Sequence, residues 1–126
     1  MSNDGETFLA ENANKEGVVV TASGLQYEII ETGSGKTPSA TSTVVTHYAG
    51  TFLDGSEFDS SIKRGEPLSF PIDGVIAGWT EALMLMQEGD KWRLFVPSDL
   101  AYGPSGIGPI PPNSTLIFEV QLIEVK

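Results

Sequence analysis

The sequence contains no cysteine, a single histidine and few basic residues. Without cysteine it forms no disulfide, thiolate metal site or thiol nucleophile, and one histidine argues against a His-based triad or histidine-rich metal site. Seven Lys and Arg stand against seventeen Asp and Glu, which gives a formal net charge of −10. That balance argues against nucleic acid and anionic membranes as partners, because both require clustered positive charge.

Long apolar runs are also absent. None approaches the roughly 20 residues that a membrane-spanning helix needs, and the N-terminus lacks a basic-then-apolar signal pattern. What is present is a chain of 126 residues, 40% of them hydrophobic, which suffices for one domain with a buried core. We therefore expect one compact, soluble domain, with nothing in the sequence that decides between cytoplasm and periplasm.

Residues 1–23 are predicted to form a lead-in to this domain. Phe8, Leu9 and Ala13 make a thin apolar stripe, which favours a short helix over residues 6–16. The alternative is a frayed, solvated segment, because isolated helices of this length are marginal. Residues 18–23 are β-branched and polar, which favours an extended linker.

From Leu25 onward, apolar and polar residues alternate as in half-buried strands. Helical spacing of apolar residues predicts one buried helix over residues 79–86. Antiparallel strands with a single short helix indicate an α+β fold in which the helix covers one face of the sheet. The predicted strands cover residues 25–29, 43–52, 57–60, 68–72, 91–96 and 115–125.

Two polar features suggest chemistry that the sequence does not support. His47 lies in a predicted strand, where a hydrogen-bonded structural histidine is preferred over a catalytic one. Glu57 and Asp59 share one strand face, but no further acids converge on them as a calcium loop would require.

The aromatic residues come from separate segments and form the domain core in the simplest interpretation. Tyr102, however, lies in a loop rich in Gly and Pro over residues 101–113, where core packing does not explain an aromatic. Val75 and Ile76 precede Trp79 at the start of the predicted helix, where backbone N–H groups lack intrahelical partners. An aromatic-walled cavity with a few polar groups is the general form of a ligand site.

Four stretches closely resemble the FKBP-type peptidyl-prolyl cis–trans isomerases: THYAGTFLDGSEFDSS, GEPLSFPIDGVIAGWTEALMLM, GDKWRLFVPSDLAYG and IPPNSTLIFEVQLIEV. The match covers residues 24–126, the predicted isomerase domain. The preceding FLAENANKEGVVVTASGLQYEIIETGSG is similar to the lead-in of the bacterial macrophage infectivity potentiator branch. Those relatives carry a longer helical arm through which they dimerise, so with the short lead-in we expect a monomer.

The resemblance implies a strongly bent antiparallel sheet of five to six strands wrapped around one short helix. It implies an isomerase without cofactor or metal that rotates X–Pro bonds in peptides and unfolded proteins and assists folding. Tacrolimus and rapamycin would compete for the same pocket, and the loop from Pro104 to Pro109 would affect substrate preference. The alternative is a binding module that holds proline-containing ligands without turnover; the retained pocket residues favour the enzyme.

The resemblance also places individual residues in this pocket. Trp79 would be its floor, and its walls would be Tyr48, Phe70 and Phe118. The Ile76 N–H and the Tyr102 hydroxyl would hold the peptide carbonyls. Asp59 is its one charged residue, and it either stabilises the twisted carbonyl region or holds Tyr48 or a backbone amide in place. Catalytic roles are implied for Tyr48, Asp59, Ile76, Tyr102 and Phe118, and substrate binding for Phe58, Phe70, Val75, Trp79 and Ile110.

Overall fold

The structure is a computed structural model. It describes residues 3–21, 23–39, 41–53, 55–61, 65–102, 110 and 114–126, with the backbone alone for residues 3–6 and 59. The Asp59 side chain and the loop from Pro104 to Pro109 lie outside what is described.

The described residues form two α-helices, seven strands and two short 3₁₀ turns. The regular elements are α1 (Asn3–Asn12), β1 (Val18–Val20), β2 (Gln26–Glu31), β3 (Thr43–Thr51), β4 (Glu57–Ser60), β5 (Leu68–Pro71), α2 (Ala77–Leu83), β6 (Lys91–Val96) and β7 (Leu116–Val125). The 3₁₀ turns cover Ile72–Gly74 and Ser98–Leu100. In this part of the chain no helix combines the length and apolar character needed to cross a membrane.

The strands form one antiparallel sheet in the order β1-β2-β6-β7-β3-β4, and β5 also pairs with β3. β7 lies at the centre, hydrogen-bonded to β6 on one side and β3 on the other. Along β3, alternate residues from Val44 to Gly50 are buried, as the period-two pattern predicts. Of these inward residues, Val44 and Tyr48 form one hydrophobic core with Trp79, Ala82 and Leu83 of α2, so the predicted α+β fold is confirmed.

The linker predicted over residues 18–23 is the main difference from expectation. Val18–Val20 forms β1 at the edge of the sheet and pairs antiparallel with β2, Val19 opposite Tyr27. β-Branched residues fit a strand, but three successive valines show no alternation that would mark a buried face. The sheet therefore has seven strands among the described residues, one more than the upper figure of the five to six predicted.

The helices are shifted against their predicted bounds. α1 covers Asn3–Asn12 where residues 6–16 are predicted, so both of its ends lie a few residues earlier than expected. α2 covers Ala77–Leu83 where residues 79–86 are predicted. Met86 is fully buried although it follows the helix, because the turn after α2 continues to bring side chains onto the core. Burial at helical spacing therefore extends past the end of the hydrogen-bonded helix.

α1 is packed against the sheet and is not a solvated lead-in. The Phe8 and Phe95 rings lie 5.8 Å apart. Asn12 Nδ2 donates to Gln26 Oε1 at 2.7 Å, and Gln26 Nε2 donates to the Leu9 carbonyl at 2.9 Å. Since Leu94 and Val96 face the core, Phe95 and α1 lie on the opposite face of the sheet.

Glu88, in the turn before β6, joins two distant segments of backbone. Its carboxylate accepts hydrogen bonds from the Val125 N–H at 2.7 Å and the Lys36 N–H at 3.3 Å. These bonds hold the pKa of Glu88 below its ordinary value of 4.5, and the bond from the Val125 N–H has the larger effect. Because the folded-state pKa is the lower one, the stabilisation is present above the unfolded-state pKa and is lost as pH falls through the folded-state pKa.

We expect Glu88→Gln to lower the urea midpoint of unfolding near neutral pH. The difference from the parent protein should shrink as pH falls from the ordinary carboxyl value of 4.5 through the lower folded-state pKa, because the parent carboxylate then takes up its proton. Urea titrations across this range measure it, with Glu124→Gln at an exposed position of β7 as the matched control. A difference that stays constant with pH would contradict the charge-based account.

Candidate functional site

A cavity of about 390 Å³ opens between the inward face of the sheet and the start of α2. We call it the Trp79 cavity. Aromatic rings line it from three strands, from α2 and from the segment after the second 3₁₀ turn. The loop that leads into α2 completes the lining. The described lining residues are Tyr48, Phe58, Leu68, Gly74, Val75, Ile76, Trp79, Tyr102 and Phe118.

Trp79 is the centre of the aromatic contacts in this cavity. Its ring meets those of Tyr48 at 5.1 Å and Phe118 at 5.2 Å, with interplanar angles of 78° and 87°. Phe58 in turn meets Phe118 edge-on at 5.7 Å. Edge-to-face pairs at these distances are favourable for aromatic quadrupoles, so the rings hold one another in fixed orientations.

Gly50 makes this arrangement of rings possible. It lies in β3 directly opposite Phe118 of β7. A Cβ atom at this position would stand 2.7 Å from Phe58 Cζ and 2.9 Å from Phe118 Cε1, closer than carbon atoms approach. The missing side chain therefore leaves the space in which two cavity walls meet.

The start of α2 forms the other side of the cavity. Ile76 precedes the helix in extended conformation (φ −60°, ψ 151°), and its carbonyl accepts the Trp79 N–H at 3.0 Å. In the part of the chain that the structure describes, no side chain forms a capping hydrogen bond at this end of α2. Thr80 Oγ1 donates to the Ile72 carbonyl at 2.7 Å, which fixes the 3₁₀ turn against the helix and sets the path of Val75 and Ile76.

The structure brings most of the predicted site residues together. Phe70 is buried against the Trp79 ring at 5.7 Å but does not line the cavity. Ile110 is buried in the core cluster and also lies outside the lining. The Asp59 side chain is outside the described part of the chain. The predicted residues found in the lining are Tyr48, Phe58, Val75, Ile76, Trp79, Tyr102 and Phe118.

Sequence reasoning missed two lining residues, Leu68 and Gly74. Leu68 shares a strand face with Phe70, and it is 40% exposed whereas Phe70 is 8% exposed. The alternation places both on the cavity side, but only the register shows which one lies at the opening: Leu68 pairs with Thr46 and Phe70 with Val44. Gly74 has no side chain and gave no signal.

The described lining is uncharged. Its polar side-chain groups are the hydroxyls of Tyr48 and Tyr102 and the indole N–H of Trp79, and it includes no Asp, Glu, Lys, Arg or His. Among the described residues, no group of three His, Cys, Asp or Glu side chains is placed to hold a metal ion. Such a lining can bind an apolar ligand and offer it a few hydrogen bonds.

Comparison with known proteins gives two matches to family models. One, described as FKBP-type peptidyl-prolyl cis-trans isomerase, matches residues 34–123. The other, described as the domain amino terminal to FKBP-type peptidyl-prolyl isomerase, matches residues 1–29.

Individual curated relatives match the chain over nearly its whole length. The FKBP-type 22 kDa peptidyl-prolyl cis-trans isomerase of Escherichia coli (strain K12) is 54% identical over 99% of this chain and 61% of the relative. The outer membrane protein MIP of Legionella longbeachae is 54% identical over 97% of this chain and 53% of the relative. The chain thus spans a little over half the length of these curated relatives.

The 1.6 Å crystal structure of a peptidyl-prolyl cis-trans isomerase from Pseudomonas syringae superposes with a TM-score of 0.92 at 42% identity. That match covers 98% of this chain and 92% of the other, so the shared fold includes α1 and β1 as well as the rest of the sheet. The predicted resemblance, with its infectivity potentiator branch, is confirmed. Since a family model matches most of the sequence and this structure matches nearly all of it, the chain belongs to the FKBP-type peptidyl-prolyl cis-trans isomerase family.

Proposed function

We propose that this chain accelerates cis–trans rotation of X–Pro bonds in peptides and unfolded proteins, within the Trp79 cavity and without covalent chemistry. The observation that supports the proposal most strongly is the set of edge-to-face rings around Trp79, which makes an apolar site open to a peptide. The activity named for the family and its relatives supports the same reaction.

The chemistry of the reaction suits such a cavity. Rotation about an amide breaks its resonance and faces a barrier of about 18–20 kcal/mol. As the amide twists it loses charge separation, so apolar walls favour the twisted form over the planar isomers. A site that binds the twisted form better lowers the barrier, by a factor of ten for about 1.4 kcal/mol. No nucleophile is needed, because no bond to the substrate is made.

Each predicted site residue has a proposed role. Trp79 supports the proline ring, with Tyr48, Phe58 and Phe118 as walls and Val75 at the edge. The Ile76 N–H and the Tyr102 hydroxyl hold peptide carbonyls. Phe70 supports Trp79 from behind, since it contacts that ring without lining the cavity. Ile110 shapes the site from the core.

Asp59 keeps the two interpretations that the sequence allows. In the first, it stabilises the twisted carbonyl region as a hydrogen-bond acceptor or through the electrostatic field of its carboxylate. In the second, it holds Tyr48 or a backbone amide in place. Asp59→Ala tests the first: a folded variant with full turnover would remove Asp59 from catalysis.

The proposal is tested by exchange NMR on a short Leu-Pro peptide, with and without excess rapamycin. Enhanced exchange that rapamycin abolishes would support both catalysis and the proposed binding of rapamycin and tacrolimus in the Trp79 cavity. Rapamycin binding without enhanced exchange would instead indicate a binding module for proline-containing ligands. If neither enhanced exchange nor rapamycin binding is observed, the proposed activity and the proposed drug site are both overturned.

We expect Tyr102→Phe to weaken peptide binding more than turnover. A hydrogen bond from the Tyr102 hydroxyl to a peptide carbonyl contributes about 0.5–1.5 kcal/mol, which corresponds to a rise in KM of about two- to tenfold. kcat should stay within about twofold, because the contact is made to planar and twisted forms alike. Tyr27→Phe is the matched control, since Tyr27 stacks on Trp92 outside the cavity lining. A fall in kcat with KM unchanged would contradict a binding role.

We also propose the division into a lead-in over residues 1–23 and an isomerase domain over residues 24–126. The monomeric state stays a prediction.

A further inference from the structure

A cluster of three hydrogen bonds lies at the backbone of Tyr48, one of the cavity walls. The Tyr48 N–H donates to Ser61 Oγ at 2.7 Å, and Ser61 Oγ donates to the Tyr48 carbonyl at 3.3 Å. His47 Nδ1 lies 2.9 Å from the same Ser61 oxygen. Ser61 is fully buried, so this hydroxyl has protein groups and not bulk water around it.

The cluster occupies a gap in the sheet. On one side β3 is paired with β7 throughout. On its other side it pairs with β5 from Thr43 to Thr46 and with β4 from Ala49 to Thr51. Tyr48 lies between these two pairings, and the Ser61 hydroxyl bonds both its N–H and its C=O. A side-chain hydroxyl thus does at Tyr48 what a neighbouring strand does elsewhere along β3.

The protonation of His47 Nδ1 determines which group can accept the Ser61 hydroxyl proton. A serine hydroxyl has one proton to donate. When Ser61 donates it to the Tyr48 carbonyl, the contact with His47 requires that His47 Nδ1 carry the hydrogen. When His47 Nδ1 is the acceptor, Ser61 turns its proton toward the imidazole and the Tyr48 carbonyl loses this bond. The sequence predicts a hydrogen-bonded structural His47, and its partner is Ser61, which also bonds the backbone of Tyr48.

We propose that Ser61 is a positioning residue for the Tyr48 wall, and that His47 directs the Ser61 hydroxyl by donating to it from Nδ1. This inference rests on the proposed function, because it assigns Tyr48 to the reaction site. The Tyr48 ring stands edge-on to Trp79 at 5.1 Å, so a shift of the Tyr48 backbone moves one ring against the other. The Tyr48 wall then fits the twisted amide less well, while the open cavity still admits the peptide.

The first test is Ser61→Ala, assayed by exchange NMR on the Leu-Pro peptide. We expect kcat to fall about tenfold with KM within about twofold, because the substitution weakens binding of the twisted amide in the transition state and not binding of the planar peptide. The Tyr48 amide should shift in the ¹⁵N–¹H spectrum and exchange faster with solvent. If Ser61→Ala does not fold, Ser61→Cys replaces it, because a thiol of similar size is a weak donor and acceptor.

Thr46→Val is the matched control. Like Ser61→Ala it removes a fully buried hydroxyl, but this one lies in β3, two residues before Tyr48, and within the described residues the Thr46 Oγ1 has no hydrogen-bond partner. We expect its kcat and its Tyr48 amide signal to match those of the parent protein. An equal loss of kcat in Thr46→Val would show that any buried change in β3 has this effect and would overturn the positioning role.

The role of His47 is tested by two substitutions. His47→Asn places an amide near the Nδ1 position and should keep kcat within about twofold, whereas His47→Ala should lower kcat by about threefold. Equal activity of the two variants would overturn the part assigned to His47. Parent kcat and an unchanged Tyr48 amide in Ser61→Ala would overturn the whole inference. A parent protein without isomerase activity would instead overturn the proposed function, and the Tyr48 amide signal would still decide whether Ser61 positions the wall.

Discussion

Trp79→Leu is expected to lower kcat/KM for a Leu-Pro peptide about a hundredfold, which corresponds to about 2.7 kcal/mol of lost transition-state stabilisation. Trp79 contacts the rings of Tyr48, Phe70 and Phe118, so its loss removes the floor and frees the walls around it. Stability should fall as well, by about 2–4 kcal/mol, because the replacement leaves a void in a packed core. Exchange NMR and urea unfolding measure the two effects.

Trp92→Leu separates these effects. Trp92 is buried to the same degree, 4% exposed against 5% for Trp79, and within the described residues neither indole N–H has an acceptor. Trp92, however, stacks on Tyr27 at 4.1 Å and does not line the cavity. We expect it to lose stability by a similar amount and to keep kcat/KM within about threefold. Equal losses of activity in both variants would show that the Trp79 cavity is not the site.

Gly50→Ala should reduce both stability and activity, although it adds a single methyl group. The new Cβ would stand 2.7 Å from Phe58 and 2.9 Å from Phe118, so the two rings must move apart. Overpacking of this kind costs about 1–3 kcal/mol. Because both rings are cavity walls, we expect kcat/KM to fall by about tenfold or more, measured beside the urea midpoint.

The matched control for Gly50→Ala is Gly55→Ala at the turn between β3 and β4. Gly55 has φ +90°, and a Cβ there would meet nothing within 4 Å. Alanine is strained at this φ and should cost about 1 kcal/mol through the backbone, without touching a ring. Activity of the folded protein should therefore be retained. If Gly55→Ala loses as much activity as Gly50→Ala, the ring displacement is not the cause.

Much of the sheet could be predicted because its strands alternate. Leu116, Phe118, Val120 and Leu122 of β7 face inward and the residues between them do not, which is the period that burial on one face imposes. β1 could not be predicted in this way, since its valines are exposed or half-buried at a sheet edge and its pairing with β2 is a tertiary event. The bounds of α2 were also missed, because Met86 continues the buried pattern beyond the last helical residue.

The site was less accessible to sequence reasoning than the sheet. Composition and periodicity left the aromatic residues as core, and only the resemblance to a family assigned them to a pocket. Leu68 and Phe70 lie on the same face of β5, and their distance from the cavity mouth depends on how β5 pairs with β3. The contact between His47 and Ser61 likewise depends on the register of the β3–β4 hairpin, which no local pattern reveals.

The central position of β7 has a consequence for how the protein is made. Ribosomes translate β7 after the other strands of this sheet. β3 and β6 do not pair with each other, and β7 lies between them and joins them. While β7 is still in the exit tunnel, the nascent chain holds two separate groups of strands, and the apolar face of α2 has no complete sheet to cover it. Pairing between segments so far apart in sequence is slow. We therefore expect this domain to complete its folding only once β7 has left the tunnel, so that its aromatic surfaces are exposed to chaperones and proteases until then.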